Sequence, residues 1–320
     1  MDINSSFRLG SLTFANRLIQ GPLAGFSCAP FRAMYALHQQ PAFCVSEMIS
    51  ARDLLRRQPP RFVHRDPVEH CLAYQLSGDD PQTIAQAAQY LESIGADMID
   101  LNCGCPKAKI RKKGAGSALL HQPQRLAAII TAVKSLISIP LTVKIRIQHS
   151  EQDVLLAAAI EAAGADAVIV HGRSWRDDYD TPCDMQQIAL IKQSLRIPVI
   201  ANGDIADETS LRQMINATGC DAYMVSRAGT GQPWLYHNLL NAVQYVPRME
   251  TCIEYFMTHL HGLAQLEHDH QAVLQSKTLV RYYFKPWIPR EQLQAYYVLD
   301  SLGEIEQYLR NFMQRMNYES

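Results

Sequence analysis

The densest chemical signal in the chain is Asp100-Leu101-Asn102-Cys103-Gly104-Cys105-Pro106, followed by Lys107, Lys109, Arg111, Lys112 and Lys113, five cations in seven positions. Cys103 has the place of a packed strand residue. Cys105 lies past the strand's end, before a proline that fixes the backbone, so its thiol projects toward the mouth; a free Cys is usually buried and inert, and it is the company of this one that argues otherwise. A charge run is most often a solvated face. Beside a Gly-Cys-Pro turn it also suits an arriving polyanion.

A second signal is Thr142-Val143-Lys144-Ile145-Arg146-Ile147, whose alternation puts Thr142, Lys144 and Arg146 on one face and three apolar residues on the other. A lysine turned inward is costly unless it meets an anion or an electron-rich ligand, and a structural ion pair is the bland alternative. Gln75 lies within Ala73-Tyr74-Gln75-Leu76, and His171-Gly172-Arg173 closes another apolar run. Ala201-Asn202-Gly203-Asp204 and Val225-Ser226-Arg227-Ala228-Gly229 close two more. Backbone N–H groups at such strand ends, with an arginine beside them, suit a phosphate. With Lys144 and Gln75 they indicate a phosphorylated cofactor. No GxGxxG follows a strand, so a Rossmann-type nicotinamide site is not indicated.

These residues need a scaffold that brings strand ends together. Eight short apolar runs recur: Arg17–Leu23, Ala42–Glu47, Cys71–Leu76, Met98–Asn102, Leu141–Ile147, Ala167–His171, Val199–Asn202 and Ala222–Ser226. Helical segments such as Pro81–Ser93, Pro123–Leu136, Gln152–Ala163, Met185–Leu195 and Thr209–Ala217 separate them. Gly95, Gly164 and Gly219 stand where a helix gives way to the next strand. This alternation predicts an α/β fold, a (β/α)8 TIM barrel whose site lies at the C-terminal strand ends, with an open doubly wound sheet as the alternative. After Val246 the strand signal stops. Residues 1–247 read as the barrel and 248–320 as a helical domain, with helices near Ile253–Leu266, Ala272–Phe284 and Gly303–Met313. The stretch from Lys277 to Lys285, including Arg281 and Tyr282, interleaves cations with aromatics; it reads as an amphipathic helix or as an RNA surface.

Composition bounds the partners. The chain has 320 residues, 30 Lys plus Arg against 31 Asp plus Glu, and a net charge of −1, which excludes a uniformly basic nucleic-acid coat. Met1 to Gly10 has no apolar h-region and no apolar run reaches membrane length, so neither a secretory signal nor a membrane partner is expected. Eight cysteines are scattered without a CxxC pair, so no metal site is expected and reduced thiols in a cytoplasmic protein fit best.

Taken together, the motifs resemble those of the tRNA-dihydrouridine synthases. The resemblance runs through Gly21-Pro22-Leu23-Ala24-Gly25, Ser46-Glu47-Met48, Asp100 to Pro106, Gly114-Ala115-Gly116 with Leu119-Leu120, Val143 to Arg146, His171-Gly172-Arg173, Ile200 to Asp204 and Ser226-Arg227-Ala228. It implies an FMN-dependent reductase that saturates the C5=C6 bond of uridine in tRNA, with NADPH as reductant; the oligomeric state is not readable from the sequence, and a monomer is the expectation. By position, Pro22, Leu23, Ala24, Gln75 and Lys144 would line the flavin, and His171, Asn202, Gly203, Asp204, Ser226 and Arg227 would hold its ribityl and phosphate. Cys105 would be the acid. Asn102, Lys107, Lys109, Arg173, Arg281 and Lys285 would meet the tRNA, with Arg173 stabilising charge on the uracil. The segment Tyr179-Asp180-Thr181-Pro182-Cys183-Asp184-Met185 departs from the family pattern, lacking its Gly and Trp. A small-molecule FMN reductase and a tRNA-binding folding factor are the rival readings.

Overall fold

The computed structural model describes residues 2–178 and 180–319; Tyr179, in the segment that departs from the family pattern, lies outside the described residues. Eight parallel strands form the centre: β1 (Leu18–Gln20), β2 (Phe43–Val45), β3 (Leu72–Ser77), β4 (Met98–Cys103), β5 (Leu141–Arg146), β6 (Ala167–His171), β7 (Val199–Asn202) and β8 (Ala222–Val225). Each pairs with the next, and β8 pairs with β1, so the sheet closes on itself as a TIM barrel. The open doubly wound alternative is excluded.

A helix follows each strand: α1 (Ala29–Ala33), α2 (Ala51–Arg57), α3 (Pro81–Ser93), α4 (Pro123–Lys134), α5 (Gln152–Ala162), α6 (Met185–Ser194), α7 (Glu208–Thr218) and α8 (Leu235–Asn241). Local chemistry sets their ends. Asp80, Asp184 and Asp207 accept the N–H of Thr83, Gln187 and Ser210 at the starts of α3, α6 and α7. Gly95, Gly164 and Gly219 have φ of 95°, 101° and 58°, the left-handed turn that their spacing implied. The first strand is shorter than the apolar run that announces it. Gly21 N–H still reaches Val225 O at 2.8 Å, but Pro22 has no N–H to continue the ladder, so Pro22 and Leu23 turn out over the barrel end.

The lower half of the barrel is apolar and closed. A hairpin, Phe7–Leu9 with Leu12–Phe14, turns on Gly10 at φ 56°. It brings Phe7, Leu9 and Phe14 against inward-facing Ile19, Phe43, Met98, Ile169, Ile200 and Met224. Phe14 lies 5.1 Å from Phe7 and 5.3 Å from Phe43 between ring centroids. Outward-facing residues such as Leu18, Ile99, Val143, Val168 and Val170 join a second, larger core beneath the helices.

Three further helices follow: α9 (Met249–Leu266), α10 (Asp269–Tyr283) and α11 (Leu302–Glu319). Phe256 packs on Tyr283 and Phe284 at 5.1 and 5.3 Å. The end of α10 presses on the loop after β8 so closely that a Cβ on Gly231 would lie 2.7 Å from the Tyr282–Tyr283 peptide. Among the described residues no helix is long and apolar enough to cross a membrane.

Candidate active site at the barrel mouth

Above the apolar floor the inward positions become polar. Strand register sets Gln75 beside Asp100 and Asp100 beside Thr142, all three buried. Asp100 accepts Thr142 Oγ1–H at 2.6 Å and Gln75 Nε2–H at 2.7 Å. Burial pushes the Asp100 carboxyl up from its ordinary range, while those two hydrogen bonds and the Lys144 charge oppose the shift.

One step further up, Lys144 donates to Asn202 Oδ1 at 2.9 Å, and Asn202 donates to Met224 O at 2.9 Å. Burial pushes the Lys144 ammonium down, with the Arg146 charge adding to it and Asp100 opposing. His171 is half-buried in the next row, paired in register with Arg146 and Asn202. Burial, reinforced by the charges of Lys144, Arg146, Arg173 and Arg227, pushes its imidazole far below the usual range and holds it neutral. Asp204 pairs with Arg173 at 2.8 Å and approaches Arg227 at 3.9 Å, so part of this positive charge is balanced within the site. The field that remains favours an anionic ligand at this end of the barrel.

The Cys105 loop is built with equal care. Asn102, at the end of β4, accepts Cys105 N–H at 2.9 Å and Gly104 N–H at 3.3 Å through Oδ1. Its Nδ2–H donates to Gln75 Oε1 at 2.8 Å. Behind the cysteine, Ser117 N–H donates to Cys105 O at 3.1 Å, and a Cβ on Gly116 (φ 61°) would strike that carbonyl at 2.8 Å. Cys103, two residues back, faces the helices and is fully buried, and that burial pushes its thiol up.

These groups open onto one cavity of about 790 Å³. Pro22, Leu23, Ala24, Gln75, Lys144, His171, Asn202, Gly203, Asp204, Ser226 and Arg227 all line it, as do Cys105, Asn102, Lys107 and Lys285. Three residues expected at the substrate do not. Arg173 is buried to 2% exposure beneath the mouth, where it donates to Thr181 O and pairs with Asp204 at 2.8 Å; it braces the loops after β6 and β7. Lys109 is exposed on the short helix Ala108–Arg111 and points outside the cavity. Arg281 is exposed, with its guanidinium 4.9 Å from the Tyr282 ring centroid.

The sequence reading also missed groups. Tyr282, Phe26, Met48 and Gln232 line the cavity, and Phe26 meets Tyr282 edge-on at 5.9 Å. The aromatic interleaving around Tyr282 was a usable signal. Asp100 was another: its two-residue spacing from Asn102 puts both on the inner face.

A closed β/α barrel whose polar side chains line a cavity at the C-terminal strand ends has the architecture of the TIM-barrel enzymes. The chain belongs to the dihydrouridine synthase (Dus) family, whose model matches residues 19–307. It is 31% identical to tRNA-dihydrouridine synthase B of Proteus vulgaris over 324 residues, covering 96% of this chain and 100% of that one. It is 38% identical to tRNA-dihydrouridine synthase B of Pseudomonas aeruginosa over 241 residues, 73% of this chain and 72% of that one. Among solved structures, morphinone reductase shares the fold with a TM-score of 0.57 at 13% identity, covering 77% of this chain and 91% of that one. The enzyme is therefore an oxidoreductase of the tRNA-dihydrouridine synthase family.

Proposed function

We propose that this enzyme is an FMN-dependent tRNA-dihydrouridine synthase that reduces the C5=C6 bond of uridine in tRNA, with NADPH as reductant and Cys105 as the acid. The observation that carries the reading is the shared cavity: Cys105 opens onto the same space as the buried Lys144 and Gln75 and the rim residues Ser226 and Arg227.

The residues fit a flavin mononucleotide. The cavity volume is that of a cofactor site. At the rim, Arg227 as a bidentate partner and Ser226 as a hydroxyl donor suit a phosphate. Pro22, Leu23 and Ala24 offer an apolar wall, and Gln75 and Lys144 offer polar groups to a heteroaromatic ring. When bound, reduced FMN supplies the hydride that adds to C6 of uracil.

Saturation breaks the C5=C6 π bond and leaves an electron pair at C5, conjugated with the C4 carbonyl. Cys105 Sγ–H gives its proton to C5, the new C5–H bond forms, and the thiolate is reprotonated from solvent. Asn102 holds the Cys105 backbone so that the thiol stays on the cavity side. Lys107 and Lys285, both on the cavity rim, meet RNA phosphates and balance charge building on the uracil. A uridine stacked within tRNA does not reach the barrel interior, so the base enters everted. Residues 248–320 serve as the tRNA-binding region. That Tyr282 and Lys285 come from this region and line the cavity favours an RNA substrate over a free small pyrimidine, which needs neither.

The test is Cys105→Ala. It retains bound flavin and lowers dihydrouridine formation by about 10²- to 10⁴-fold, the usual weight of a general acid. Wild-type activity in that variant removes the assignment.

A further inference from the structure

Three buried side chains and the half-buried Asn102 join the barrel interior to the Cys105 backbone through an unbroken series of hydrogen bonds. Thr142 Oγ1 donates to Asp100 Oδ1 at 2.6 Å, Gln75 Nε2 to Asp100 Oδ2 at 2.7 Å, Asn102 Nδ2 to Gln75 Oε1 at 2.8 Å, and Cys105 N to Asn102 Oδ1 at 2.9 Å. Asp100, Gln75 and Thr142 are at most 1% exposed, so water cannot substitute for a lost partner.

The series has a direction. The Cys105 N–H is a donor only, and an ionised carboxylate is an acceptor only. Between these fixed ends lie two amides, each of which has a donor side and an acceptor side. Reversing either one sets N–H against N–H, or oxygen against oxygen. We infer that Asp100 is a positioning residue for the uridine reduction: it fixes the orientation of the Gln75 and Asn102 amides, and through them the seat of Cys105. The inference rests on the proposed role of Cys105 as the acid.

The account makes an unusual demand on Asp100: an acceptor toward Gln75 is required and a negative charge is not. Asn in its place turns Oδ1 to Gln75 provided its Nδ2 has an acceptor in the Thr142 hydroxyl. Without that hydroxyl the Nδ2–H of Asn is buried with no acceptor, so keeping Oδ1 toward Gln75 carries the cost of an unpaired donor. Asp100→Asn and Thr142→Val are near-isosteric, which protects the fold.

The experiment compares Asp100→Asn, Thr142→Val and the double variant in the full-length flavin-loaded enzyme. The readouts are kcat and KM on unmodified tRNA and the rate of Cys105 alkylation by iodoacetamide, followed by peptide mass spectrometry. Each single variant keeps kcat within about threefold of wild type, whereas the double variant loses about tenfold or more in kcat at unchanged KM. The alkylation rate follows the same pattern, about threefold or more away from wild type only in the double variant. Asp100→Asn alone falling as far as the double variant overturns the inference, because the charge acting on Lys144 is then the cause. Strictly additive losses, or a double variant with wild-type kcat and alkylation, overturn it as well. Should wild type make no dihydrouridine at all, the functional reading fails, and the alkylation pattern still decides the relay.

Discussion

The two ends of this barrel are made by the same eight strands and differ in nearly every other respect. At the N-terminal end, Ile19, Phe43, Met98, Ile169 and Ile200 pack against Phe7, Leu9 and Phe14 of the hairpin in a dry hydrocarbon plug. At the C-terminal end, the inward positions are the buried Asp100 and, above it, Asn102, Lys144, His171 and Asn202, which open onto the cavity. Such a mouth is expensive, since a buried lysine and a buried carboxylate each resist their charge. The floor offsets that cost by burying aromatic and aliphatic groups. Stability and chemistry are thus divided along the barrel axis, and substitutions should separate by height.

The sharpest separation is expected at Lys144. Lys144→Ala removes a cation from the mouth and should weaken FMN binding by about 10- to 100-fold, read as loss of the yellow absorbance in the purified protein. An unchanged flavin spectrum breaks the assignment. Met98→Ala, at the floor, should do the converse: a loss of about 2–5 kcal/mol in unfolding free energy by denaturant titration, with flavin content retained in the folded fraction. Flavin loss at full stability would show that the two ends are not separate.

A smaller effect belongs to the rim. Lys285→Ala should weaken tRNA binding and lower the slope of log K against log salt by about one unit, leaving the flavin unaffected. The smallest is at His149, which holds Asp177 at 2.9 Å and Asp184 at 3.2 Å and so braces the loop after β6. Its hydrogen bonds to Asp177 raise its pKa, with burial opposing and Asp184 adding. A raised imidazole pKa gives stability that is full below the unfolded value of about 6.5 and lost as pH rises through the folded value. His149→Asn, a residue that tolerates the φ of 55° found there, should lower Tm by roughly 1 °C at pH 5.5 and not at pH 9. A pH-independent difference would show that the ring acts by shape alone.

The barrel was largely legible because eight apolar runs and their glycine stops are local features. The hairpin was not, since two three-residue strands carry too little periodicity to stand out. The cavity-lining set was legible where a polar residue closes a strand, as at Asn202 and His171. It failed for Arg173, whose partner Asp204 comes from the neighbouring strand's loop, a relation that spacing does not reveal. Arg281, expected on an RNA surface, lies off the cavity. A continuous helix would put Arg281 and Lys285 on one face, but α10 ends at Tyr283, and Lys285 alone reaches the cavity. Asp100 was read as part of a motif rather than as a buried acceptor, because its partners Gln75 and Thr142 come from β3 and β5.

The central claim is that the polar mouth is a flavin site facing an entering uridine. Its most direct test is to incubate the purified wild-type enzyme with FMN, NADPH and tRNA lacking dihydrouridine, and to map the product nucleosides by mass spectrometry. The account predicts flavin retained on the protein and a two-hydrogen mass gain at uridine. A protein that takes up no flavin and leaves every uridine unchanged would contradict it.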